Sequence, residues 1–130
     1  MELPLEAVPN FSEGRDAAVV NAIGAALAER AELLDVHADP DHNRSVFTLV
    51  AGDREIVDAL LAGISCARER IDLRGHAGVH PRIGAADVVP IVPVRPDDSD
   101  RARAAAFELA RRIGNEIGRA SCRERVLLGV

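Results

Sequence analysis

Between Arg15 and about Arg30, Val20, Ile23 and Leu27 recur at helical spacing with alanines filling most of the gaps, which predicts a helix. Ahead of it, the apolar run LPLEAV is stopped by the turn-rich PNFSEG, so a strand is expected to leave into a loop, with Ser12 as the helix N-cap. Beyond the helix the period changes. AELLDVHA and RSVFTLVAG read as two strands, and the polar DPDHN between them makes a hairpin turn. Val57, Leu60, Leu61 and Ile64 then share one face of a second helix, capped by Asp53 and running to about Arg70. Glycines and a proline punctuate IDLRGHAGVHPRIG too often for regular structure, so it reads as a loop. AADVVPIVPV is extended and apolar. Pro90 and Pro93 lack the N–H that a central ladder needs, which assigns this strand to an edge or makes it irregular. Asp97, Asp98 and Asp100 lead into a last helix ending at Arg111 and Arg112, a charge order that suits the helix dipole.

The resulting order is β-α-β-β-α-β-α. Its first six elements match the split βαβ arrangement, which places the chain in the α+β class: a ferredoxin-like βαββαβ antiparallel sheet with helices on one face, plus a C-terminal helix.

Composition narrows the function classes. At 130 residues the chain is one domain or part of a larger one. Phe11, Phe47 and Phe107 are the only aromatics although 48% of residues are hydrophobic, so the core is aliphatic and no base-stacking platform is on offer. A formal charge of −5 argues against a nucleic-acid backbone as partner. No apolar run approaches the roughly 20 residues of a membrane span, and two cysteines make no disulfide framework. The expected location is the cytoplasm, with no membrane partner. The decapeptide IGRASCRERV, residues 117–126, translates a common sequencing adapter. Residues 117–130 are therefore expected to be an adapter-derived artefact, with the native sequence legible over 1–116.

Three clusters carry candidate chemistry. In GHAGVHPRIG, His76 and His80 have the i, i+4 spacing of a zinc pair on a helix, but Gly75, Gly78 and Pro81 oppose a helix. Proton transfer by His80, next to the planar cation Arg82, competes there with a solvated loop histidine, and spacing leaves the choice open. In DVHADPDHNR, Asp39 to Asn43 reads as turn chemistry ahead of a divalent-ion site, whereas Asp35 and His37 alternate onto one strand face. In VPNFSEG, Gly14 before a helix hints at an anion site, a weaker reading than capping by Ser12. Cys66, mid-helix, reads as a small buried apolar residue.

VPNFSEGR, LLDVHADPDHNRSVFTLV and IDLRGHAGVHPRIGAADVVPIVPV, in this order, resemble the amino-terminal subdomain of glutamate formimidoyltransferase, the formiminotransferase part of formiminotransferase-cyclodeaminase. The resemblance covers about Glu6 to Glu116. It implies a folate-dependent transfer in histidine degradation, from N-formimino-L-glutamate to N5 of tetrahydrofolate, with tetrahydrofolate as co-substrate and no metal. The family's catalytic histidine lies in its HPRMG segment, which falls on His80-Pro81-Arg82-Ile83-Gly84 and makes His80 a general base. Arg82 and Arg44 become candidates for substrate carboxylates and Asn10 for a polar positioner. Mammalian relatives carry Asp where this chain has His37, so Asp35 is a candidate substitute for that carboxylate. The family's transferase pairs two subdomains whose sheets face each other across the folate. This chain is expected to lack the second, to expose its sheet face as a patch prone to association, to have little activity alone, and to belong to a homo-oligomer. Formyl transfer between folate and glutamate on the same site is the nearest rival. A non-catalytic folate-binding or interaction module is the rival from another class.

Overall fold

A computed structural model describes residues 3–71 and 86–117 of the chain. The first strand comes in two pieces, β1 (Leu5–Ala7) and β2 (Asn10–Phe11), so part of the segment expected as loop is strand. Helix α1 (Ala17–Ala28) begins at Asp16. The carboxylate of Asp16 accepts from Ala18 N at 3.0 Å and Val19 N at 3.4 Å, satisfying two of the N–H groups that a helix start leaves unpaired. Ser12, the cap expected from sequence, lies four residues upstream and is buried. Strands β3 (Glu32–Asp39) and β4 (Arg44–Ala51) form the anticipated hairpin, with a register shift between Leu33 and Asp35 that leaves Leu34 as a bulge.

Helix α2 (Asp53–Arg70) is preceded by Gly52 as its N-cap, not by Asp53. Asp53 and Glu55 instead occupy its first turn, and Arg68 and Arg70 its last, where the macrodipole favours each sign. The fourth strand is again in two pieces, β5 (Ala86–Val88) and β6 (Ile91–Pro93). A single 3-10 turn, Pro96–Asp98, feeds helix α3 (Ser99–Arg112), and one wider turn (Ile113–Ile117) follows.

Both strand breaks fall at prolines, for a common reason. Proline gives a ladder no N–H, but its carbonyl still accepts. Pro9 O accepts from Phe47 N and Pro90 O from Val8 N, each at 3.1 Å, so the sheet continues across both breaks. Counting the broken strands as one each, the antiparallel order is β3, β4, β1/β2, β5/β6. This is the ferredoxin-like arrangement. The proline-bearing strand is irregular and, among the described residues, lies at an edge, in line with its sequence.

The three helices cover one face. Ser45, Phe47 and Leu49 of β4 are buried there with Leu5, Ala7 and Phe11, beneath Val20, Ile23 and Leu27 of α1 and Ile56, Leu60 and Ile64 of α2. Phe11 and Phe47 meet edge to face, their ring centroids 5.5 Å apart and planes at 78°. Alanines on α3 (Ala102, Ala105, Ala106, Ala110) let it lie close against α2 and β6. Cys66 is half-buried and packs against this core, in keeping with an apolar role.

Candidate functional site

Among the described residues no helix covers the other face of the sheet, and the register assigns that face its residues. Along β4 the residues between the buried ones, Val46, Thr48 and Val50, point away from the helices. Asn10 of β2 stands opposite Val46 on one side and His37 of β3 opposite it on the other, forming a row across three strands. Asp35 stands opposite Thr48. Arg44 begins β4 two residues before Val46 and shares its face, and Glu6 stands between Val50 and Val92. Four candidates from sequence, Asn10, Asp35, His37 and Arg44, therefore converge on one surface although 34 positions separate the first from the last. Directly opposed residues on adjacent strands are roughly 5 Å apart, so Asn10 and His37 stand about 10 Å from each other. His76, His80 and Arg82 lie outside the described residues.

This surface mixes a guanidinium, an imidazole, two carboxylates and an amide with half-buried Val46, Val50 and Val92. Chemically it offers a planar cation for a carboxylate, hydrogen-bonding groups on both sides of it, and a flat aliphatic floor. Asn10 is oriented by its own amide, which donates to Val8 O at 3.1 Å.

One end of the face is locked by a seam that sequence reading missed. Gly14 is packed so tightly that a Cβ there would stand 2.5 Å from Asp39 O and 2.6 Å from Arg44 N, and would also collide with Arg44 O. Its N–H donates to Asn43 Oδ1 at 2.9 Å, and Arg15 Nε donates to Pro40 O at 2.7 Å. Asn43 adopts the left-handed conformation (φ 53°), which asparagine tolerates better than most residues. Gly14 thus serves close backbone approach; the helix start itself is held by Asp16 and by Glu13, whose Oε2 accepts from Arg15 N and Asp16 N. The segment after β2 and the β3–β4 turn are thereby one unit, bringing Asn10 and Arg44 to the same end of the sheet.

The turn itself is ordinary Asx chemistry. Asp39 Oδ1 accepts from Asp41 N and His42 N, and His42 Nδ1 meets Asp39 Oδ2 at 2.6 Å. The His42 hydrogen bond is the main reason the Asp39 carboxyl sits below its ordinary value, with the two backbone donors adding to it and burial opposing. Among the described residues, no three His, Cys, Asp or Glu side chains gather as a metal-binding group. No helix among them is long and apolar enough to cross a membrane.

A groove also runs between α2 and α3, on the helix side of the sheet and away from these candidates. Arg101 pairs with Asp53 there, and Arg112 Nη1 reaches Asp58 Oδ1 at 2.6 Å, with Arg30 at 3.7 Å from Asp58. The Arg101–Asp53 and Arg112–Asp58 pairs tie the two helices together, which is a structural task.

Known proteins extend the picture beyond the described residues. The formiminotransferase domain, N-terminal subdomain, matches residues 4–122. The chain is 48% identical over 116 residues to a glutamate formimidoyltransferase of Thermoplasma acidophilum, covering 88% of this chain and 38% of the relative. It is 40% identical to a glutamate formimidoyltransferase of Streptococcus pyogenes serotype M1, covering 88% of this chain and 39% of that protein. It is also 40% identical to the formimidoyltransferase-cyclodeaminase of Sus scrofa, covering 88% of this chain and 21% of that larger protein. The chain spans about two-fifths of the length of the first two. With a match over nearly its whole length, and the split βαββαβ sheet in place, the chain belongs to the family of the formiminotransferase domain, N-terminal subdomain.

Proposed function

We propose that the chain supplies one half of a transferase site that moves the formimino group of N-formimino-L-glutamate to N5 of tetrahydrofolate, a step of histidine degradation. The observation that carries this reading is the convergence of Asn10, Asp35, His37 and Arg44 on the one sheet face without helices, in a chain of this family. Arg44 would take a substrate carboxylate by paired charge-assisted hydrogen bonds, a geometry that a guanidinium offers and an ammonium does not. Asn10 would orient a polar group beside it, with Asp35 and His37 along the outer rim. Arg82 is assigned a second carboxylate.

His80 is the proposed general base. As N5 attacks the formimino carbon, the N5–C bond forms and the C=N electron pair moves onto nitrogen, giving a tetrahedral intermediate. His80 takes the N5 proton and returns it to the glutamate nitrogen; the electron pair on the imino nitrogen then re-forms the C=N bond as the C–N bond to glutamate breaks, releasing glutamate. The reaction is a redox-neutral exchange of one nitrogen for another and needs no metal. A cytoplasmic setting and a folate-covering second subdomain complete the reading.

The test is His80→Ala in the protein carrying both subdomains. Turnover should fall by a factor on the order of 10² or more while tetrahydrofolate affinity, read by titration calorimetry, stays largely intact. Unchanged turnover would remove the general-base assignment.

A further inference from the structure

Among the described residues, Asn43 is the only non-glycine residue with a positive φ, at 53°. Glycine is the usual choice in that conformation, since it meets no steric penalty there. The hairpin turn does not need the asparagine side chain either. Asp39 Oδ1 already closes it by accepting from Asp41 N and His42 N. The Asn43 amide instead leaves its own hairpin: its Oδ1 accepts from Gly14 N at 2.9 Å, across 29 positions of the chain. Gly14 in turn lies against the backbone of Asp39 and Arg44, the pair that closes the β3–β4 ladder, with no room for a Cβ. The backbone of Arg44 is thus held from two sides, by Asp39 across the ladder and by the Gly14 segment. Its exposed side chain starts from a fixed point at the end of the helix-free face.

We propose that Asn43 is a positioning residue for Arg44. Its amide fastens the segment after β2 onto the hairpin and so sets where the guanidinium stands relative to Asn10, ready for a glutamyl carboxylate. This rests on the reading of Arg44 as a carboxylate-binding residue. A guanidinium grips a carboxylate through two parallel hydrogen bonds, a fork that small displacements of its base misalign. Arg44 opens its strand beside a polar turn, where a hairpin is least restrained by neighbouring ladder bonds. Asn10 lies just upstream of Gly14 on β2, so the one hydrogen bond ties the supports of both side chains together. The second brace of the seam, from Arg15 Nε to Pro40 O, is exposed and reaches the turn rather than the strand. N-formimino-L-glutamate and tetrahydrofolate both carry glutamyl carboxylates, and kinetics can tell which of them Arg44 holds.

The experiment is steady-state kinetics on the protein carrying both subdomains, varying the two substrates in separate series, with a thermal melt of every variant. Arg44→Ala should raise KM for one substrate and so identify it. Asn43→Gly leaves the left-handed turn unstrained and removes only the amide. It should raise that same KM about fivefold or more, with kcat within about twofold of wild type. Asn43→Asp keeps an acceptor oxygen at a φ that aspartate tolerates, and should recover most of the loss at high salt, which screens its charge. Arg112→Ala, on the helix side of the sheet, is the comparison for a purely structural defect: a lower melting temperature with both KM values unchanged. Asn43→Gly with a lower melting temperature and wild-type KM would overturn the proposal, as would Asn43→Asp no better than Asn43→Gly. If Arg44→Ala raises KM and Asn43→Gly does not, the carboxylate reading stands and the positioning role falls. If Arg44→Ala leaves both KM values unchanged, that reading fails first and the proposal falls with it.

Discussion

The two faces of this sheet are built from alternating residues of the same strands, yet they obey different rules. On the helix side, Phe47 and Leu49 are sealed, and every neighbour is apolar or small. On the other side, Val46 and Thr48, one residue away, sit half-exposed among Asn10, His37 and Asp35. The first face is held by burial, which is proportional to area and forgiving of which aliphatic residue supplies it. The second collects polar groups that contribute little to stability, as the open side of an antiparallel sheet allows.

Phe47→Ala should separate the faces most sharply. Loss of a buried ring and its contact with Phe11 should cost about 3–5 kcal/mol, whereas Thr48→Ala next door should cost less than about 1 kcal/mol, both read from urea denaturation. Equal costs would erase the distinction. Gly14→Ala comes next and concerns the seam where the faces share an end. The added methyl meets backbone atoms that cannot rotate away, so a loss of about 1–3 kcal/mol is expected. Smallest is the effect of acid on the pair joining α2 to α3. Arg101 holds the Asp53 carboxyl below its ordinary 3.8. A depressed folded-state pKa means that the stabilisation is complete above the ordinary value and lost as pH falls through the folded one. Because Asp53 is about half exposed, its worth is under roughly 1 kcal/mol. Asp53→Asn should therefore lower the urea midpoint slightly at neutral pH and leave it unchanged in strong acid.

The helix-side face was largely legible in the sequence, since 3.6-residue periodicity in α1 and α2 reports directly which positions are buried. The pairing of Asp35 with His37 on one face was legible too, because the bulge falls before them and leaves their alternation intact. Helix starts were less so. Ser12 and Asp53 have the right chemistry for a cap, but Asp16 and Gly52 hold the position where the chain turns in, a matter of backbone path that residue type does not encode. Asn10 and Phe11 were read as loop because Pro9 interrupts the run, although its carbonyl keeps the ladder whole. The seam between Gly14 and Asn43 joins residues 29 apart. No local pattern predicts it. His80 and Arg82 rest on the resemblance of their motif alone.

The edge-to-face contact of Phe11 with Phe47 has an optical consequence. The chain contains no tryptophan or tyrosine, and its third phenylalanine, Phe107, is exposed on α3. Near-ultraviolet circular dichroism from aromatic rings therefore arises chiefly from one pair, held rigid at the centre of the helix-covered layer. The protein carries its own reporter of core packing, silent to events on the opposite face, and intrinsic fluorescence of the usual kind has nothing here to excite.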